Sequence, residues 1–224
     1  MQKTWKDSMA SDDYTSFWAE NARTFDKQSN PDIDALIKRI CRDVGRVQRV
    51  LDVAAGTGNV SLAMARQAGQ VDALDLEPEM IAVLREKAAA SGVDNISFHV
   101  QSAYELDFPD RVFDAVVILN SLHVMKTPEA ALCEARRVLR SSGVLLAPTY
   151  CHAETRDNLE RYLHCASRSG HKSHHLFTCD SLCTLIDGCG FEVMKRETVE
   201  INYEEQSPGL MLGYVVACPA SAVS

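Results

Sequence analysis

With 224 residues, 46% of them hydrophobic, the chain is long enough to bury one sizeable core, and a single domain is expected. The net charge of −8 argues against a broad nucleic-acid or anionic-membrane surface, because such surfaces need clustered Lys and Arg. No apolar run approaches the ~20 residues of a membrane span, and MQKTWKDSMASDD lacks the apolar centre of a signal peptide, so a cytoplasmic protein is expected. Eight cysteines without C-x-x-C pairs read as reduced, mostly buried thiols rather than a disulfide framework.

In chain order, residues 1–10 read as unstructured. An amphipathic helix is expected from Ser11, with Tyr14, Phe17, Trp18, Ala22 and Phe25 at three- and four-residue steps. Asn30-Pro31 ends it, and Pro31 to Cys41 opens the next helix with proline and acids in the first turn. A buried strand is expected at about 48–54, running into the turn Ala55-Gly-Thr-Gly58. A helix over Asn59–Ala68 should follow, stopped by Gly69.

A strand that ends at two close glycines and becomes a helix lets a polar ligand approach the backbone. A dinucleotide turn would read G-x-G-x-x-G, but Ser61 stands at the third glycine position. The second strand, Gln70–Leu76, carries Asp75 near its tip, about twenty residues past the turn, where an acid can accept both hydroxyls of an adenosine ribose. A helix from Glu77-Pro78 to Gly92, a third strand over Asn95–Gln101, and a fourth over Phe113–Asn120 complete this half. Beyond it, Thr127-Pro128-Glu129 caps a helix over Ala130–Leu139, and Ser141-Ser142-Gly143 is expected to turn into a strand over Val144–Tyr150. Residues 152–176 are rich in Arg and His. Thr178 starts a helix ending at Gly188 or Gly190, and strands at Phe191–Tyr203 and Met211–Cys218 close the chain as a hairpin.

The run Asp52-x-Ala54-x-Gly56-x-Gly58 resembles the first motif of class I S-adenosylmethionine (SAM) dependent methyltransferases, (D/E)-x-G-x-G-x-G, with Ala54 at the first glycine. Within that family the small-molecule, ubiquinone/menaquinone methyltransferase-like branch is the nearest resemblance. Phe113-Asp-Ala-Val is similar to the family's F-D-x-V, and E-A-R-R-V-L-R-S-S-G to its E-x-x-R-V-L-K-P-G-G. The segment from Ser102 to Pro109 stands where the family carries G-D-A-x-x-L-P-F, with Ser102 at the aspartate that bonds the adenine amino group. A hydroxyl accepts that bond more weakly than a carboxylate.

The resemblance implies an α/β fold: a Rossmann-like seven-stranded sheet, mostly parallel with an antiparallel last strand, and helices on both faces. It implies residues 1–30 as an N-terminal lid segment and 31–224 as the methyltransferase domain. Implied for SAM are Phe25, Asp52, Ala54, Ala55, Gly56, Thr57, Gly58, Asp75, Leu76, Met80, Ser102, Ala103, Asn120 and Leu122. The reaction implied is methyl transfer to a small-molecule acceptor, releasing S-adenosylhomocysteine.

His123, just past the fourth strand, is the best-placed general base, since an imidazole can take a proton near neutral pH; Tyr150 and His152 are further candidates. No metal is expected, because the cysteines and histidines of 165–189 lack zinc-ligand spacing. Three rivals stand beside this reading, one of them an NAD-dependent oxidoreductase, disfavoured by Ser61 and by the closing hairpin. A protein or RNA methyltransferase is weakened because Asn120-Ser-Leu-His123 replaces the (D/N)-P-P-(Y/F) signature; the third is a SAM-binding protein without transferase activity. The acceptor atom and the oligomeric state are open.

Overall fold

The computed structural model describes residues 14–26, 30–169, 172–202 and 209–221. The expected unstructured start at 1–10, the expected first residues of the N-terminal helix at 11–13, and most of the loop joining the last two strands lie outside the described residues. Helix α1 is Tyr14–Asn21, and α2 is Pro31–Val44. Asn30 caps α2, its side-chain oxygen accepting the backbone N–H of Asp32 and Ile33 at 2.9 and 3.1 Å.

The core alternates strand and helix: β1 Arg49–Val53, α3 Asn59–Met64, β2 Gln70–Asp75, α4 Pro78–Ala90, β3 Ile96–Val100, β4 Phe113–Val117, α5 Pro128–Val138, β5 Leu139–Leu146. Then follow the two-residue strand β6 Thr149–Tyr150, helices α6 Arg156–Ser169 and α7 Cys179–Gly188, and the hairpin β7 Phe191–Ile201 with β8 Leu210–Pro219. Strands pair in the order β3-β2-β1-β4-β5-β8, with β6 and β7 also on β8. β1 to β5 are parallel to their neighbours, and β8 is antiparallel to β5, β6 and β7. Such an order places β1 and β4 side by side at the centre, where connections leave in opposite directions and a crevice opens at the strand ends.

Eight strands are present among the described residues where seven are expected. The extra one arises because the fifth strand is broken at Ala147-Pro148, and Pro148 has no N–H for a ladder bond. Its carbonyl instead accepts the N–H of Asn120 at 2.7 Å. The expected turn at Ser141-Ser142-Gly143 is also corrected. These residues belong to β5, whose register against β4 slips between the pairs Phe113–Leu139 and Ala115–Val144. Helix α3 is shorter than expected. It ends at Met64 because Asn95 donates its amide to the carbonyls of Ala65 and Ala68 at 2.9 and 3.1 Å, holding the chain in turns.

Two apolar layers flank the sheet. Val50 packs with Ile40, Val60, Met64 and Leu84 under α2, α3 and α4. Leu51 and Val53, pointing the other way, pack with Leu132, Leu182 and Ile186 under α5 and α7. With one layer on each face, the ends of the strands are the part of the sheet left for a ligand. Among the described residues no helix is long and apolar enough to cross a membrane.

Candidate functional site

The turn after β1 departs from ordinary backbone at three residues. Ala54, Gly56 and Gly58 have φ of 54°, 55° and 86°. At Ala54 an L-residue therefore occupies the left-handed region that glycine fills in the motif it resembles, a conformation that costs about 1 kcal/mol. At Gly58 a Cβ would lie 1.9 Å from Leu84 Cδ1, so any side chain there requires Leu84 to move. At Gly56 a Cβ would meet nothing within 4 Å, so this face of the turn is open.

Asp52 lies beneath the turn and is buried, its carboxylate accepting the Ser61 hydroxyl at 2.5 Å. Ser61 thus ties α3 to β1 through a hydrogen bond where a third glycine would have packed closely. Burial pushes the Asp52 carboxyl up to about 7, against the pull of Ser61 and with help from the nearby Asp75 charge.

Asp75 ends β2 beside the turn. Its Oδ2 accepts the Gly56 N–H at 2.8 Å and its Oδ1 the Glu77 N–H at 3.0 Å. Burial raises its pKa, while these backbone bonds pull the other way. Glu77, buried at the start of α4, is pushed up to about 6 by burial and by the charges of Asp75 and Glu79. Three carboxyls therefore cluster at the ends of β1 and β2. Leu76 is half-buried and Met80 buried. Ser102, past β3, is buried and its hydroxyl oxygen accepts the Tyr104 N–H at 3.1 Å, a local turn bond. Ala103 packs on the core layer of α5.

From the N-terminal side Phe25 is 51% exposed, its ring edge-on to Trp18 at 5.9 Å. It is the next residue, Asp26, that reaches the turn. Asp26 Oδ1 accepts the Thr57 hydroxyl and the Asn59 amide, both at 3.0 Å, and its Oδ2 pairs with Lys87 at 2.9 Å. Thr57 is buried as a result. Asp26 was not among the residues expected from the sequence, and its only signal there is its place beside Phe25 in the segment expected to form a lid.

At the end of β4, Asn120 has φ of 53°. Its Oδ1 and the Ser121 hydroxyl, just past the end of β4, are buried without a hydrogen-bond partner among the described residues. Leu122 is fully buried in the core layer of α5 and faces away from solvent. His123 is buried too, its Nδ1 3.4 Å from Thr149 Oγ1 and its ring edge-on to Tyr150 and His152 at 5.7 and 5.3 Å. Tyr150 and His152 stack at 5.6 Å, and His152 stacks on Tyr162 of α6 at 3.9 Å. Tyr162 accepts the Ser173 N–H at 2.7 Å, and the His123 carbonyl accepts the N–H of His174 and His175. The structure thus joins His123, Tyr150 and His152 and adds Tyr162. That residue was readable only as part of the buried stripe Asn158–Tyr162 on α6.

All eight cysteines are free, but Cys151, Cys179 and Cys183 are the buried ones while Cys133 and Cys165 are exposed, fewer buried thiols than expected. Burial pushes Cys151 up to about 12 and Cys179 to about 11, so neither is a ready thiolate at neutral pH.

Comparison with known proteins matches residues 50–143 to a family described as "Methyltransferase domain". The chain is 39% identical over 110 residues to the ubiquinone/menaquinone biosynthesis C-methyltransferase UbiE of Pectobacterium carotovorum, a match covering 47% of this chain and 44% of that one. It therefore spans less than half the length of the curated relatives it matches. Among solved structures, the fold resembles a chain in the Haloferax volcanii complex of the Trm112 methyltransferase activator with a methyltransferase, with TM-score 0.72, 17% identity and coverage of 95% and 98%. It also resembles the PH0226 protein of Pyrococcus horikoshii, with TM-score 0.68, 23% identity and coverage of 84% and 89%. These likenesses concern the fold alone.

Proposed function

On a chain that carries a class I SAM-dependent methyltransferase domain, we propose that the strand ends bind SAM and that the protein passes its methyl group to a small-molecule acceptor, releasing S-adenosylhomocysteine. The observation that carries this reading is one juxtaposition. Asp75 stands beside the open face of Gly56, while the unpartnered Asn120 Oδ1 and Ser121 hydroxyl lie at the neighbouring strand end. Bound there, the cofactor supplies a methyl group already activated on a cationic sulfonium, so the protein has to align the acceptor and, for a weak nucleophile, take a proton.

In this reading Asp75 holds the ribose hydroxyls, since its carboxylate has acceptor capacity beyond its two backbone bonds. Ala54, Ala55, Gly56, Thr57 and Gly58 form the wall that the cofactor approaches, Leu76 and Met80 flank the adenine, and Ser102 and Ala103 meet its edge. Asn120 faces the methionine half. Asp52 acts through Ser61, holding α3 against β1, and Leu122 acts through the core. Residues 1–30 form the lid segment, with Phe25 on its outer side, and 31–224 form the catalytic domain.

The acceptor lies against His123, Tyr150 and His152, and His123 is the base. The curated relatives are named for C-methylation in ubiquinone and menaquinone biosynthesis; for this chain the proposal stops at a small-molecule acceptor. Calorimetric titration with SAM, S-adenosylhomocysteine and NAD tests the reading. Saturable binding of the two adenosyl ligands but not NAD is expected, weakened about a hundredfold in Asp75→Ala. A protein that binds neither adenosyl ligand overturns it.

A further inference from the structure

A turn with glycines at 56 and 58 has no side chains at those positions, and its one internal backbone bond, from the Gly58 N–H to the Ala55 carbonyl at 2.9 Å, is joined by grips from outside. On the strand side Asp75 grips the Gly56 N–H at 2.8 Å. On the opposite side the grip comes from the N-terminal segment. Asp26 accepts Thr57 Oγ1 and Asn59 Nδ2 at 3.0 Å each, and its other oxygen takes the Lys87 ammonium at 2.9 Å. Lys87 in turn donates to Asn59 Oδ1 at 2.8 Å. A closed ring of three side chains, Asp26, Lys87 and Asn59, with Thr57 bonded to it through Asp26, thus joins the N-terminal segment, the turn and α4.

One turn back, Arg23 makes a two-pronged pair with Glu86 at 3.1 and 3.2 Å. Both side chains are exposed, so this pair orients the segment more than it stabilises it. The Asp26–Lys87 pair is better shielded, its side chains 32% and 29% exposed. Burial works against the Asp26 charge, but the bonds from Lys87, Thr57 and Asn59 outweigh it and hold the carboxyl below its ordinary range. The Asp26 carboxylate therefore stays ionised through neutral pH.

We infer that Asp26 is a positioning residue for the cofactor: it fastens the N-terminal helix to the back of the glycine turn, so that turn shape and helix docking are coupled. Asp26 touches the turn through Thr57. Whatever fixes the turn favours the docked helix, and by reciprocity the docked helix favours whatever fixes the turn. The aromatic rings of Phe17, Trp18 and Phe25, in edge contact at 5.1 and 5.9 Å, travel with the segment. Docking therefore decides whether those rings stand near the site.

The inference rests on the reading that the turn binds SAM, and the experiment separates the two. With Trp5→Phe, Trp18 becomes the single tryptophan and its fluorescence reports the N-terminal helix during SAM titration. In that background, SAM is expected to bind and shift the Trp18 signal. Asp26→Ala and Lys87→Met are each expected to weaken SAM about tenfold and to abolish most of the shift. The ligand-free Tm should change by less than roughly 3 °C. Asp26→Asn, which keeps the acceptor oxygen but not the charge, should fall between. In turnover, KM for SAM should rise with kcat little changed. Unaltered affinity and Trp18 response in Asp26→Ala overturn the latch. So does an affinity loss that appears only with a large fall in ligand-free Tm in both Asp26 variants. If the parent protein binds neither SAM nor S-adenosylhomocysteine, it is the proposed function that falls.

Discussion

The two halves of the strand-end crevice are built on different principles. The half around β1 and β2 is made of backbone held in unusual conformations and gripped by carboxylates: φ above 50° at Ala54, Gly56 and Gly58, with Asp52, Asp75 and Asp26 each holding one piece. The half around β4 and β6 is made of rings: His123, Tyr150, His152 and Tyr162 pack edge-on or stacked and are closed from solvent. The first is held in shape by hydrogen bonds among its own residues. The second is packed with its own side chains.

Three substitutions sharpen or break this contrast. The largest effect is expected at His123. If the ring half supplies the base, His123→Gln should lower kcat by roughly a hundredfold to ten-thousandfold while SAM affinity stays unchanged. A parallel loss of SAM binding in calorimetry would merge the two halves into one. Next comes Asp52→Asn, on the backbone half. Asp52 holds its proton up to about pH 7 when folded and only to an ordinary 3.8 when unfolded, so folding takes up a proton between these values. The group's contribution is therefore greatest below pH 4 and falls as pH rises to 7, by at most roughly 4 kcal/mol. Urea denaturation at pH 5 and pH 7 should show that decline flattened in the variant. The smallest is Gly58→Ala, expected to cost about 3 kcal/mol in the same assay because its Cβ would collide with Leu84 at a φ of 86°. Wild-type stability there would mean that Leu84 on α4 yields freely to the added methyl.

Legibility from the sequence follows the same division. Asp75 could be read because its distance from the turn and its strand context are set by one β-α-β unit, and the strand does end there. Ser61 was read only as a departure from a dinucleotide pattern. That its hydroxyl would meet Asp52 nine residues back depends on how α3 settles on β1. Phe25 could be chosen from helical spacing, yet the spacing could not tell which of Phe25 and Asp26 would face the turn, and it is Asp26 that does. The eighth strand was missed because Pro148 breaks a ladder whose partner, β8, lies more than sixty residues ahead.

By itself the sequence determined the alternation of strand and helix, the closing hairpin, the glycine turn and the acid at the tip of β2. These rest on side-chain period and on backbone conformations that only some residues tolerate, and both act between near neighbours in the chain. Only the tertiary structure decided which side chains close around that turn and which rings fill the opposite half. Asp26 and Lys87 are 61 residues apart, and His123 and Thr149 26 apart. Such contacts form when packed elements bring distant residues within hydrogen-bond range, a length that no local pattern encodes.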